Sequence, residues 1–340
     1  MRMPIAYLAA LGAIAAGPAA AAAPIPATRP TSTLIAQSSP GPTPSATDVS
    51  NDVLGPRKPV DDAYGAFQRG YYLTALDLAL KRARNNDANA QTLVAEIYAN
   101  GLGVGLDLKK AAHWYALADE NGDVHATFAL AVLYQEGKGV DKDPAHAAKL
   151  FEKAANAGYL PAKYNLALLY VQGKYVEPDM RRAAELMREA AVGGLPDAEY
   201  DYGTMLMEGA GVAPDPELGA IETGLAAQQG VVAAQVDYAT MLYLGNGVKK
   251  DLKAAVRWYA QAAEAGNPVA QNRYAKLLAV GEGVPLDMQS AAMWRILAQR
   301  QGLNDPSLDK LLVSISPQDL ETAKLRARYW PGVPPANSGP

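Results

Sequence analysis

Apolar positions between residues 124 and 158 fall at helical spacing, in two runs. Ala126, Leu130, Ala131 and Tyr134 share one face of the stretch HATFALAVLYQE, because residues three, four and seven apart lie on one side of a helix. Ala147, Ala148, Phe151 and Ala154 do the same in AHAAKLFEKAANA. The pattern breaks between them. Gly137 stands where a helix needs a left-handed residue to stop, and GKGV turns the chain. Asp143 can accept from the next free N–H groups, and Pro144 has no N–H to leave unsatisfied at the first helical position. Gly158 ends the second run. The repeated alanines let two helix axes approach closely.

The unit recurs without a break. Gly101, Gly137, Gly173, Gly209, Gly245 and Gly281 are each 36 residues apart. So are Gly122, Gly158, Gly194, Gly230, Gly266 and Gly302, and so are Asp107, Asp143, Asp179, Asp215, Asp251 and Asp287. A fixed period of this size is the mark of a solenoid, in which each unit buries its apolar face against the next. The expectation is an all-α solenoid of helix-turn-helix repeats, six of them over residues 91–306.

The ends differ, as solenoid ends should. Residues 61–90 read as a short helical pair without the turn insert. Residues 307–330 read as capping helices. Ser316, Pro317 and Asp319 form a start signature there, and Leu320, Ala323, Ala327 and Trp330 form one stripe. Residues 331–340 read as a disordered tail.

The N-terminus has the three parts of a secretory signal. Arg2 is followed by an apolar stretch, Ile5–Gly17, too short to span a bilayer comfortably, and then by small residues. Residues 1–22 are expected to be a cleaved signal peptide, cut near Ala20–Ala22, with an uncleaved anchor as the alternative. The expected location is periplasmic or secreted. Residues 23–60 are rich in Pro, Ser and Thr and cannot bury enough apolar surface to offset their ordering entropy. They read as a disordered linker with a reach of about 35 Å.

Composition removes several functions. The 340 residues hold 49% apolar side chains, with alanine the commonest of them, and only 3 Phe. A formal net charge of −4 gives no reason to expect nucleic acid or an anionic membrane as partner. Cysteine is absent, which removes disulfides, thiol nucleophiles, cysteine-ligated metals and a bacterial lipid anchor. His113, His125 and His146 show no metal spacing, and no serine sits in a G-x-S-x-G context. The glycines follow no strand, and the aspartates precede helices. No catalytic, cofactor or metal residues are expected.

The stretch Tyr98–Gly122, YANGLGVGLDLKKAAHWYALADENG, resembles the unit of the Sel-one-like repeat family, a relative of the tetratricopeptide repeat. The unit holding Trp258 and Tyr259 matches as well. The resemblance covers about residues 63–306. Two departures stand out. Tyr175 replaces the second turn glycine of the third unit. Glu222 and Thr223 replace the aromatic pair of the fourth, which is expected to be looser. The resemblance implies a right-handed superhelix that serves as a scaffold or adaptor for other proteins. Exported bacterial members serve envelope signalling, polysaccharide secretion or host contact.

In units of this kind the other face of the first helices, away from the core stripe, lines a concave groove. By register the candidates are Phe128, Val132 and Gln135; Tyr164, Leu168 and Val171; Tyr200, Thr204 and Met207; and Val236, Thr240 and Tyr243. Phe128, Tyr164 and Tyr200 recur at the repeat period as an aromatic ladder. Such a ladder can hold an extended segment or a partner helix, or it can be plain packing between helices. Trp114, Trp258 and Trp294 share one repeat position and are expected to pack. The functional expectation is a non-enzymatic scaffold for a protein partner. A polysaccharide- or cell-wall-binding scaffold is the alternative, and a β-lactamase-like envelope hydrolase the more remote one, since such relatives are rich in cysteine.

Overall fold

The structure, a computed structural model, describes residues 61–332. The expected signal peptide, the linker and the tail beyond residue 332 lie outside the described residues. The described residues form sixteen α-helices and one 3-10 turn, with no strand. A short pair, α1 (Asp62–Gln68) and α2 (Tyr72–Ala83), precedes the repeats. Six units follow. They are α3 (Ala88–Asn100) with α4 (Leu108–Glu120), α5 (Val124–Glu136) with α6 (Pro144–Asn156), and α7 (Leu160–Gln172) with α8 (Met180–Val192). Next come α9 (Pro196–Glu208) with α10 (Pro216–Gln228), α11 (Val232–Leu244) with α12 (Leu252–Glu264), and α13 (Pro268–Val280) with α14 (Met288–Arg300). Helix α15 (Pro306–Leu311), the turn Leu312–Ser314 and α16 (Pro317–Tyr329) close the array. Asp87 caps α3, so the first full unit starts at residue 88 rather than at 91.

The three residue series do what their chemistry dictates. Gly137 is left-handed (φ 72°), and its N–H returns to the Leu133 carbonyl at 2.9 Å. Asp143 accepts from the His146 N–H at 2.9 Å, and Asp251 from the Ala254 N–H at 2.9 Å. The second turn glycine is required for a further reason. A Cβ on Gly139, Gly211 or Gly247 would collide with the carbonyl oxygen of Leu108, Met180 or Pro216 at the start of the preceding second helix. Tyr175 occupies this place in the third unit. Its φ is not positive, and its side chain turns outward, 38% exposed.

Alanines fill the core. Ala126, Ala131, Ala147 and Ala154 are all buried, with Leu130 and Phe151 between them. The fourth unit is not looser. A Cβ on Gly203 would stand 3.0 Å from the Gly219 carbonyl oxygen and 2.7 Å from the Thr223 hydroxyl. Small residues at the crossing therefore bring α9 and α10 together backbone to backbone. The buried Thr223 hydroxyl is satisfied by the Gly219 carbonyl at 2.8 Å. At the C-terminal end Ala323 and Ala327 are buried, and Trp330 sets its ring against Trp294 at 6.0 Å.

A row of buried polar side chains ties the units together near the start of each first helix. Gln91, Gln235 and Gln271 each donate to a carbonyl at the end of the previous second helix (Ala83, Ala227 and Ala263) at 3.0–3.2 Å. The amide oxygen of Gln91 accepts from Asn121 at 2.9 Å, and Glu199 accepts from Gln229 at 2.6 Å.

Candidate functional site

The candidate groove residues lie on the first helices α5, α7, α9 and α11. Eleven of them are half-buried. Val236 is buried, 8% exposed, and belongs to the core. The aromatic ladder does not behave uniformly. Phe128 packs its ring on Phe151 (5.6 Å) and Tyr159 (5.2 Å), across to the neighbouring helices. Tyr164 donates its hydroxyl to Asp201 at 3.0 Å, and Tyr200 donates to Asp237 at 2.7 Å. Each bond joins one first helix to the next.

The remaining positions divide between packing and polar ties. Val132, Leu168 and Val171 lean on the core beneath them. Thr204 and Thr240 return their hydroxyls to the Tyr200 and Val236 carbonyls, and Thr240 also meets the hydroxyl of the buried Tyr259 at 2.8 Å. Tyr243 donates to Glu282 at 3.0 Å. Met207 packs toward the glycine crossing at Gly219. The side-chain oxygen of Gln135 is buried with no hydrogen-bond donor.

The sequence reading missed the row beside the ladder. Asn165, Asp201, Asp237 and Arg273 recur at the same period, one residue beyond Tyr164, Tyr200 and Val236. The signal was present, since a second groove position at period 36 follows from the first. Along this row charge changes sign, from Asp201 and Asp237 to Arg273. Burial on this face pushes the Asp201 carboxyl up to about 6, helped by Asp197 and opposed by the Tyr164 hydroxyl. Burial also raises Asp237, against the hydroxyl of Tyr200 and the charge of Arg273. Asp237 is exposed to solvent and still feels this loss of hydration, as a side chain between protein walls does. Glu96, at the first-unit equivalent of Val132, is raised by burial as well.

At the C-terminal end of this face a cavity of about 320 Å³ opens between α11, α13 and α15, with Tyr243, Arg273, Val280 and Leu311 in its walls.

The three histidines make edge-on ring contacts, His113 with Trp114, His125 with Tyr159 and His146 with Tyr134. Among the described residues no three His, Asp or Glu side chains come close enough to hold a metal ion. Trp294 is buried, while Trp258 and Trp114 are half-buried against the apolar clusters.

The periodicity and the packing have counterparts among known proteins. The Sel1 repeat profile matches residues 88–123, 124–159, 160–194, 196–222, 232–267 and 268–302. The match in the fourth unit stops at residue 222, where the aromatic pair is replaced. A protective antigen of uropathogenic Escherichia coli strains displaying an SLR fold superposes with a TM-score of 0.66 and 26% identity. The match covers 74% of this chain and 56% of the antigen, so the chain spans little more than half of that protein's length. A Sel1 repeat protein from Oxalobacter formigenes gives a TM-score of 0.63 and 25% identity over 70% of this chain and 98% of its own. No curated protein sequence matches. Six in-phase units, their capping residues and their helix pairs assign the chain to one family: it belongs to the Sel1 repeat family, whose solenoids serve in general as protein-interaction scaffolds.

Proposed function

We propose that this chain is an exported, non-enzymatic scaffold that holds an extended segment of a protein partner along the face of its first helices. The observation that carries the reading is the paired row on that face. Tyr164, Tyr200 and Tyr243 are held by Asp201, Asp237 and Glu282 of the following unit. Tyr164 and Tyr200 stand one repeat apart and Tyr243 two helical turns further along its own first helix, and all three rings are thereby preorganised, half-buried before any partner arrives. Preorganised aromatic side chains lose little entropy on binding and bury their remaining surface in the complex, which is how interface anchors act. The cleavable signal expected at residues 1–22 places the scaffold in the periplasm or outside the cell, where envelope signalling, polysaccharide secretion and host contact are the settings it fits.

A photo-crosslinking residue placed at Thr204 tests the reading in cells, with Arg257 on the exposed side of α12 as the control position. A discrete protein adduct from the first-helix face and none from Arg257 is the expected result. Equal labelling from both positions, or none from Thr204, would remove the groove assignment. N-terminal sequencing of the mature protein tests export, with the expected start near Ala21–Ala23.

A further inference from the structure

We infer that the cavity between α11, α13 and α15 is an anchor subsite for an extended peptide, which inserts an aliphatic side chain there with an acidic residue beside it. The inference rests on the groove reading above and names the chemistry of the bound segment.

Two independent features set this end of the face apart. The first is apolar exposure. The last residue of each first helix is Asn100, Glu136, Gln172 and Glu208 in units one to four, then Leu244 and Val280 in units five and six. Leu244 is 64% exposed and Val280 50%. Leu311 of the short capping helix faces the same cavity and is 43% exposed. Val280 lines the cavity beside Leu311, and Leu244 ends the neighbouring helix α11 next to the lining residue Tyr243. The volume, about 320 Å³, suits one or two side chains.

The second feature is a cation without an ion-pair contact, whose charge reaches Asp237 from beyond that distance. Lys276 in the cavity wall pairs with Asp305 at 2.6 Å, and Glu282 accepts the Tyr243 hydroxyl at 3.0 Å. Arg273 is exposed, and among the described residues no carboxylate lies within ion-pair distance of it. Its planar, multiply donating head matches a carboxylate in two-point geometry. The apolar wall favours an aliphatic neighbour in a peptide over a hydroxylated sugar, because burying unpaired hydroxyls against Leu and Val is costly.

Spacing adds a direction. Packed helices lie about 8–10 Å apart, and an extended chain advances about 3.3 Å per residue. Successive first helices are not packed that closely and meet through side chains such as Tyr200 and Asp237, so one repeat corresponds to at least about three peptide residues. Asp237 precedes Arg273 by one repeat along the row. The bound segment should carry a basic residue at least about three positions from its acidic one.

A random dodecapeptide library displayed on phage and panned against the full chain tests this, beside an Arg273→Glu variant. The expected consensus is Leu, Ile or Val adjacent to Asp or Glu. A synthetic copy should bind at least about tenfold more weakly when its acid is replaced by the amide, or when it meets the variant. The variant's own consensus should switch to Lys or Arg at that place. Arg273→Gln, which keeps the length without the reversed charge, gives the same loss if the charge reversal disturbs folding. A consensus lacking the acid, or one that survives Arg273→Glu but is lost on Asp237→Lys, would overturn the subsite and leave the groove reading standing. Failure of any peptide to enrich would remove both. Arg273-dependent binding of hexagalacturonate in place of peptides would assign the cavity to an anionic sugar instead.

Discussion

Gln301 donates a side-chain hydrogen bond of 3.0 Å to the amide oxygen of Gln271, thirty residues earlier. The same span separates Asn121 from Gln91 and Gln229 from Glu199. Where the first position is Thr127 or Lys163, the partner is found elsewhere, in Asp119 and Glu189. Gln235 breaks the rule. The residue thirty positions on is Ala265, and the Gln235 side-chain oxygen is buried without a donor.

Ala265→Gln should therefore stabilise the protein. A buried acceptor left unmatched costs about 1–3 kcal/mol, and a new partner recovers part of that. The expected gain is about 1 kcal/mol in urea denaturation. Ala157→Gln, opposite the already satisfied Thr127, should give no comparable gain. Equal effects from both would mean the orphaned oxygen is irrelevant.

The turn glycines separate two reasons for being glycine. Gly247→Ala meets both a left-handed φ of 68° and the carbonyl of Pro216, whereas Gly230→Ala meets only its φ of 93°, with nothing within 4 Å of the new Cβ. The conformational cost alone is about 1–2 kcal/mol. Gly247→Ala should lose clearly more than Gly230→Ala in paired denaturation curves, and matching losses would contradict the collision.

Removing a cap is a milder change. Asp143→Ala and Asp251→Ala each delete one acceptor for a first-turn N–H, at about 1 kcal/mol each. Binding of any groove ligand should fall only as far as folding does. A variant of full stability that no longer binds would make these aspartates functional.

Asp201 gives a pH dependence whose sign follows from linkage. Its folded value, about 6, lies above that of an unfolded carboxyl. Between roughly pH 4 and 6 the folded state then holds more protons than the unfolded one, so this group's contribution to stability falls as pH rises through that window. Asp201→Asn keeps an acceptor for Tyr164 and removes the titration. The variant should gain on the wild type at pH 8, and the difference should shrink toward pH 4.5. A pH-independent difference in urea midpoints would refute the assignment.

The helices, their caps and their period were written locally. A glycine that must be left-handed and an aspartate three residues before a free N–H act within a few residues of chain, so Gly137 and Asp143 could be read directly. The alternation of alanine with larger apolar residues likewise named Ala126, Leu130 and Phe151 as core. The cap at Asp87 lies outside the repeated aspartate series, so no periodic residue marks the start of the first unit at residue 88.

Relations between units were decided by the tertiary structure. Register alone could not separate Phe128, which packs, from Tyr164 and Tyr200, which reach across to the next first helix, or from Val236, which is buried. Those fates depend on which side chain the neighbouring unit sets opposite, 37 residues on. The fourth unit is tighter rather than looser because Gly203 meets Gly219, a pairing invisible until two helices cross. The cavity at Arg273 exists because the array stops and α15 folds back beside α13, and a periodic sequence does not announce what covers its last unit. Local residues fix each helix and its ends, while the inner face takes its chemistry from contacts that form only when the units stack.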